Sequence, residues 1–296
     1  MDLAERSIAV TGATGFLGRY ICTALLNRRA RVIGAVRSPD RGADLSAKGV
    51  ELRTADLLDL PTLRSAFEGV DAVVANAAVV SAKQTSDYVR INVEGMANLL
   101  EAVAEASVRR LVVVSTVSIY RHNNKGNDED APQVTQTERM LTKQPYATTK
   151  AQAESLAWDA AEKMGLDVTA VRPGYIYGRG AQFIDGFRGS LGGAVALIPG
   201  KRIPLAYAGD VAEAIARCLE RPTTVGRAYN LTGREDLSWS DFASAWSKAG
   251  GPVAPIKLPI PWLTRHSYDT SRAECDLNWT NTNFVEALAE TLNPDP

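Results

Sequence analysis

At 296 residues, 45% hydrophobic and 23% charged, the chain is long enough for one large α/β domain with an appended lobe, or for two domains. A formal net charge of −1, with Lys and Arg spread along the chain, leaves no electrostatic footprint for nucleic acid or an anionic membrane. No apolar run is long enough to span a bilayer and no secretory signal opens the chain, so a cytoplasmic protein is expected.

The first element is the run Ser7-Ile8-Ala9-Val10-Thr11, followed by a glycine turn and a helical period over residues 16–27. Strands are predicted at 31–36 and 50–53. Near-continuous apolar runs at 71–75 and 111–115 are those of strands buried on both faces. Long helical patterns lie between and after them, notably 88–105 and 146–164. Strands alternating with helices make βαβ units, hence an α/β fold with a doubly wound parallel sheet, the Rossmann fold.

Residues 121–144 read as a polar loop, with Asp128-Glu129-Asp130 as a solvated acidic face. After Arg172-Pro173-Gly174 glycine and proline become frequent, and 252–261 is too proline-rich for regular structure. The expected division is a Rossmann domain over 1–174 and a smaller C-terminal lobe over 175–296. A segment near 205–232, with the strand Ala228-Tyr229-Asn230-Leu231, returns to the sheet. Cys22, Cys218 and Cys275 read as reduced thiols, and neither they nor His122 and His266 have metal-ligand spacing, so no metal is expected. Trp158 and Trp239 lie in helical patterns and read as core or interface packing.

Thr11-Gly12-Ala13-Thr14-Gly15-Phe16-Leu17-Gly18 joins the first strand to the first helix. Gly12 allows the tight turn, Gly15 lets the backbone approach a pyrophosphate, and Gly18 permits close helix–strand packing. The helix N-terminus offers free N–H groups to the anion, so Gly12, Thr14, Gly15, Phe16, Leu17 and Gly18 are expected dinucleotide contacts. The alternative is a tight turn with no ligand. About 20 residues beyond the glycines, an NAD site carries Asp or Glu for the ribose 2′-hydroxyl. Here Val36-Arg37-Ser38 stands there, with Arg41 nearby, so a guanidinium is available for a 2′-phosphate and NADP(H) is expected over NAD(H). Asp56-Leu57 suits an adenine contact; equally, Asp56 could cap the helix beginning near Leu60.

Of nine tyrosines only Tyr146 has a lysine four residues on, Lys150, which shares its face of a helix. A lysine so placed is expected to lower the phenol's pKa and make it an acid/base near neutral pH. The fifth strand ends in Ser115-Thr116-Val117-Ser118-Ile119-Tyr120, and the carboxyl ends of such strands face the ligand crevice, so a hydroxyl there can bind the reacting oxygen.

With these motifs in order, together with Asn76-Ala77-Ala78, Asn92-Val93-Glu94-Gly95, Asp210-Val211-Ala212 and Tyr229-Asn230-Leu231, the chain resembles the extended short-chain dehydrogenase/reductases over nearly its whole length. The resemblance implies Thr116 as the catalytic hydroxyl, four residues before Tyr120, and Tyr146 as the acid/base. It makes Lys150 the holder of the ribose hydroxyls and Asn92 part of a water-borne proton relay. It puts Asn76, Ala77, Ala78 and Ser115 along the cofactor and Arg172-Pro173-Gly174 beside the nicotinamide, makes the lobe after 175 substrate-binding, and implies a homodimer through the helices bearing Asn92 and Tyr146. Two departures stand out: Asn76 replaces a frequent His, and Tyr177-Gly178-Arg179 lacks the usual proline. A third, Val117-Ser118 in place of an Asp-Glu pair, argues against dehydratase chemistry.

The expected function is hydride transfer between NADP(H) and the carbonyl or alcohol of a small apolar substrate. The apolar, glycine-rich stretch 189–207 and a tail over 268–279 like that of ketone-reducing members point that way. The alternatives are a nucleotide-sugar epimerase on tightly bound NAD, with Arg179, Arg188, Lys201, Arg202 and Arg234 as diphosphate-clamp candidates, and a non-catalytic dinucleotide sensor. The presence of both Tyr146 and Lys150 counts against the sensor.

Overall fold

A computed structural model of the chain describes residues 2–121, 126–181, 195–199, 204–233, 239–251, 256–260 and 267–292. The chain begins β1 (Ser7–Thr11), α1 (Phe16–Leu26), β2 (Arg31–Val36), α2 (Ala43–Ala47), β3 (Glu51–Thr54), α3 (Leu60–Ala66) and β4 (Ala72–Ala75). It continues with α4 (Thr85–Tyr88), α5 (Gly95–Glu105), β5 (Arg110–Val114), α6 (Glu138–Lys143), α7 (Pro145–Met164) and β6 (Asp167–Pro173). Then come β7 (Tyr175–Tyr177), β8 (Val195–Pro199), β9 (Leu205–Tyr207), α8 (Ala208–Glu220), β10 (Arg227–Leu231) and α9 (Trp239–Lys248). β11 (Ile256–Ile260), α10 (Ser271–Leu277) and α11 (Phe284–Leu292) complete the described elements.

Seven strands form one sheet in the order β10-β6-β5-β4-β1-β2-β3, so the predicted doubly wound fold is present. β1 runs parallel to β2 on one side (Val10 beside Gly34) and to β4 on the other (Val10 beside Val74). The winding therefore reverses between β1 and β4, and the carboxyl ends of these two strands flank the place where such sheets bind nucleotides. Every residue of β1, β4 and β5 is buried, as expected of strands whose central residues are all apolar. Leu63 and Phe67 from α3 and its end, Leu99, Leu100 and Val103 from α5, and Ala153 and Ala157 from α7 pack on Val73, Leu111, Val113 and Val168. Fully burying each large side chain stabilises by roughly 1.5–3 kcal/mol, so this face fixes α5 and α7 against the strands whose ends carry the site.

One buried cation ties the other end of β5. Arg110 donates to the Asp167 carbonyl (2.6 Å), Thr169 Oγ1 (2.9 Å), the Cys218 carbonyl (2.6 Å) and Thr224 Oγ1 (2.9 Å). Its pKa is lowered by burial, and its acceptors are neutral oxygens rather than a bonded carboxylate.

The chain divides into two compact units: residues 1–121, 132–172 and 212–229, and residues 122–131, 173–211 and 230–296. In the second unit β7 pairs with β9 and β8 with β11, both parallel. The strand β11 corrects the expectation of irregular chain at 252–261: Ile256, Leu258 and Ile260 supply strand character, and Pro259 lies in a two-stranded ladder where one missing donor is tolerated. The acidic triplet also needs correcting. Glu129 is buried, accepting from the Asn230 N–H (2.9 Å) with Arg272 3.5 Å away, whereas Asp130 is exposed and pairs with Arg272 at 2.8 Å. Residues 121–144 are not loop throughout, since Thr137 caps α6 by accepting from the Met140 N–H. His122, His266, Arg188, Lys201, Arg202, Arg234 and most of the stretch 189–207 lie outside the described residues.

Candidate active site

The glycine loop follows β1 directly. Gly12 has φ +66°, a backbone state that favours glycine, and a Cβ there would stand 3.1 Å from Ala77 Cα. A Cβ on Gly18 would come 2.2 Å from the Gly12 carbonyl oxygen and 2.8 Å from Ala13. Gly18→Ala is therefore expected to destabilise the protein by about 1–3 kcal/mol, read as a fall in Tm, because only backbone could give way. Gly15 is the N-cap of α1; no side chain caps the helix and its first turn holds no acid. Phe16, Leu17 and Gly18 thus open a helix whose positive end is free for an anion, and the loop fits a pyrophosphate.

Thr11 joins this loop to the next strand. Its hydroxyl accepts from the N–H groups of Asn76 and Ala77 (3.0 Å each), and Asn76 Nδ2 donates to the Thr11 carbonyl (3.2 Å). Asn76, Ala77 and Ala78 stay half-buried at the end of β4. Thr14 is fixed by Arg19, which donates to its carbonyl and also pairs with Asp44. Arg37, one residue beyond β2, is exposed and has no hydrogen-bond or ion-pair partner among the described residues. Asp56 does not cap α3, whose N-cap is Asp59; instead one Asp56 oxygen accepts from the Leu58 N–H (2.9 Å). Asn98 holds the Leu57 carbonyl at 2.8 Å, fixing the loop after β3.

Thr116 lies two residues beyond β5 and caps the short 3₁₀ turn Val117–Ile119, accepting from the Ser118 N–H and donating to the Ser118 hydroxyl, both at 3.2 Å. Its hydroxyl also meets the Tyr146 phenol. Burial pushes that phenol up to about 12, against a smaller downward pull from Thr116; Tyr88 raises it further. The expectation that Lys150 lowers it is therefore not met by the chain's own atoms. The Lys150 ammonium instead donates to the Val114 carbonyl (2.7 Å), and burial brings the lysine itself down to about 8 while Glu154 opposes the fall.

The helix predicted over 88–105 is not regular. Residues Val89–Glu94 form a π-helical segment between α4 and α5, a feature often found at functional positions. Asn92 sits in it, buried, accepting from the Val79 N–H (2.8 Å) and donating to the Val79 carbonyl (3.1 Å) and Thr149 Oγ1 (3.2 Å). Its polar atoms are thus committed to protein groups, so Asn92 holds the loop after β4 against α7.

Arg172, Glu154 and Tyr120 form a buried set, of which residue patterns passed over Glu154, and the Arg172 side chain is turned to that carboxylate. The Glu154 carboxylate accepts from Arg172 Nε (3.1 and 3.2 Å), Arg172 Nη2 and Trp158 Nε1 (3.2 Å). Arg172 Nη1 donates to the Tyr120 hydroxyl (2.6 Å), and the guanidinium lies 5.1 Å from that ring's centroid. The missed signal was a carboxylate four residues after Lys150 on the same helix face. The Ser115 hydroxyl is buried facing Glu154 without a well-formed hydrogen bond, and its N–H donates to the Val171 carbonyl (2.7 Å). Pro173 ends β6. Gly174 belongs to the second unit, where its N–H donates to the Leu231 carbonyl and a Cβ would meet the Pro204 oxygen at 1.9 Å. Among the described residues no cluster of His, Cys, Asp or Glu could hold a metal, and no helix is long and apolar enough to cross a membrane.

Where the strand order of an open parallel sheet reverses beside a glycine turn, nucleotides bind, and the chain is of that class: a dinucleotide-binding α/β protein. It belongs to the NAD dependent epimerase/dehydratase family, whose model matches residues 8–232, and the resemblance to extended short-chain dehydrogenase/reductases holds. A cinnamoyl-CoA reductase 1 from Oryza sativa subsp. japonica is 31% identical over 246 residues, covering 75% of this chain and 70% of the relative. The Petunia hybrida protein of the same name is also 31% identical, but the match covers 60% of this chain and only 56% of the relative's length. A 3 beta-hydroxysteroid dehydrogenase/Delta 5-->4-isomerase from Mycobacterium tuberculosis is 29% identical, covering 84% of this chain and 70% of that protein. Among solved structures, MoeE5 in complex with UDP-glucose and NAD superimposes with a TM-score of 0.80 at 26% identity, covering 96% of this chain and 97% of that one.

Proposed function

We propose that the protein is an NADP(H)-dependent oxidoreductase acting on the carbonyl or alcohol of a small apolar substrate, with Tyr146 as the group that gives or takes the proton. The observation that carries this reading is the Thr116 hydroxyl against the Tyr146 phenol, with the Lys150 ammonium one turn further along α7. The nicotinamide, when bound, supplies or accepts the hydride. Gly12, Thr14, Gly15 and the first turn of α1 (Phe16, Leu17, Gly18) would hold the pyrophosphate, Arg37 a 2′-phosphate, and Asp56 with Leu57 the adenine. Asn76, Ala77, Ala78, Ser115, Pro173 and Gly174 would border the rest of the cofactor, and Lys150 would donate to its ribose hydroxyls.

Thr116 would orient the substrate oxygen and Tyr146 protonate it. A phenol held protonated through neutral pH is suited to donating, which favours carbonyl reduction. The named activities of the plant and Mycobacterium tuberculosis relatives, reductases and a hydroxysteroid dehydrogenase, support the same class.

Titration with NADPH and NADH, for the wild type and Arg37→Ala, tests the cofactor assignment. Arg37→Ala should weaken NADPH binding about 10- to 100-fold, the worth of a charge-assisted bond of roughly 1.5–3 kcal/mol, and leave NADH binding unchanged. Equal affinities in the wild type would overturn the NADP assignment. A second reading, a nucleotide-sugar epimerase on retained NAD, draws on the likeness to MoeE5 with its UDP-glucose and NAD. NAD surviving purification would put that reading first.

A further inference from the structure

We propose that Glu154, clamped by Arg172, is the positioning residue that keeps Lys150 charged and aimed at the carboxyl end of β5. This rests on the reading of Lys150 as a cofactor-holding residue. Lys150, Glu154 and Arg172 are 4%, 1% and 3% exposed, so two cations and the anion between them in sequence all lie in a nearly dry interior. An ammonium so buried is costly unless charge and hydrogen bonds compensate it. The only hydrogen bond from Lys150 among the described residues goes to the Val114 carbonyl, a neutral acceptor. The compensating charge is Glu154, one turn along the same helix face, and among the described residues it is the carboxylate that acts on Lys150.

Glu154 can serve only while ionised. Burial pushes its carboxyl up, but the Arg172 guanidinium more than offsets this, with Trp158 adding a hydrogen bond. Arg172 is in turn held by the Tyr120 hydroxyl and ring. Glu154 is thus the charged group acting on Lys150, while Arg172 on β6, Ser115 after β5 and Trp158 on α7 act on Glu154, Tyr120 acts on Arg172, and Thr116 and Tyr88 act on Tyr146 one turn before the lysine. Without Glu154, both cations would lie in that interior with no carboxylate among the described residues to compensate them. Arginine cannot release its proton, so lysine would.

The test follows the Lys150 side chain of the cofactor-free protein by NMR with labelled lysine, assigned by a Lys150→Arg variant, from pH 6 to 11. In Glu154→Gln the Lys150 midpoint should fall by about one pH unit from its wild-type value near 8. An unchanged midpoint in folded Glu154→Gln would overturn the proposal, since a purely structural role would not move it. Should Glu154→Gln fail to fold, Glu154→Asp decides. Its shorter carboxylate draws back from Lys150, so the midpoint should fall by a few tenths, and no change would again overturn the proposal.

A parallel NADPH titration at pH 7.5 separates the two readings. Weaker binding to Glu154→Gln than to the wild type supports Lys150 as the cofactor contact. No NADPH binding by the wild type would sink the functional reading, while the lysine titration would still judge the role of Glu154.

Discussion

Tyr146→Phe should lower turnover of a reducible carbonyl substrate by about 10²- to 10⁴-fold, the usual worth of a positioned proton donor. Only the phenol oxygen is removed, and the neighbour that would feel its loss is the Thr116 hydroxyl, which keeps its bonds to Ser118. Folding and NADPH affinity should therefore stay within a few-fold of the wild type. Steady-state rates set beside a fluorescence titration would separate the two effects. Turnover retained in the variant would assign the proton to another group. Lost turnover with intact cofactor binding would exclude the sensor reading, in which catalysis has no part.

Arg110→Met should destabilise the protein by about 3–5 kcal/mol, for reasons unconnected with catalysis. Methionine fills much of the volume but leaves the carbonyls of Asp167 and Cys218 and the hydroxyls of Thr169 and Thr224 without the donor they share. Each buried group left unsatisfied costs roughly 1–3 kcal/mol, partly offset because the charge itself no longer has to be buried. A Tm fall of roughly 10 °C in calorimetry, with the affinity for NADPH kept in the folded protein, is the expected result. A Tm within 2 °C of the wild type would mean that water or backbone shifts replace the guanidinium without cost.

Much of this was legible in residue order because it depends on local rules. Near-continuous apolar runs gave β4 and β5, the glycine spacing gave the turn into α1, and the four-residue spacing put Tyr146 and Lys150 on one helix. What escaped depends on partners distant in sequence. Glu129 looks solvated beside two aspartates, and only Asn230, 101 residues on, explains its burial. The downward effect expected of Lys150 on Tyr146 assumed that proximity along a helix fixes electrostatic influence, but the Val114 carbonyl claims the ammonium and burial dominates the phenol. The π-helical segment leaves no mark in hydrophobic periodicity, because one extra residue in a turn shifts the pattern less than side-chain variation does. The strand β11 was hidden by the prolines around it.

Glu129 also bears on how the chain is made. Its carboxylate emerges during synthesis about 100 residues before Asn230 and about 140 before Arg272, the groups that receive it. The second unit is stitched from three separate stretches, and the first cannot close until residues 212–229 arrive with the last strand of its sheet. A growing chain therefore carries β1 to β6 for some time with the edge that β10 will cover still open, and with an acidic side chain waiting in water for its place. Contacts of such long range are slow to form and leave sheet edges available to other chains. The polar, acidic character of residues 127–130, of which only Asn127 and Glu129 are buried in the finished molecule, suits that waiting segment to water until its partners exist.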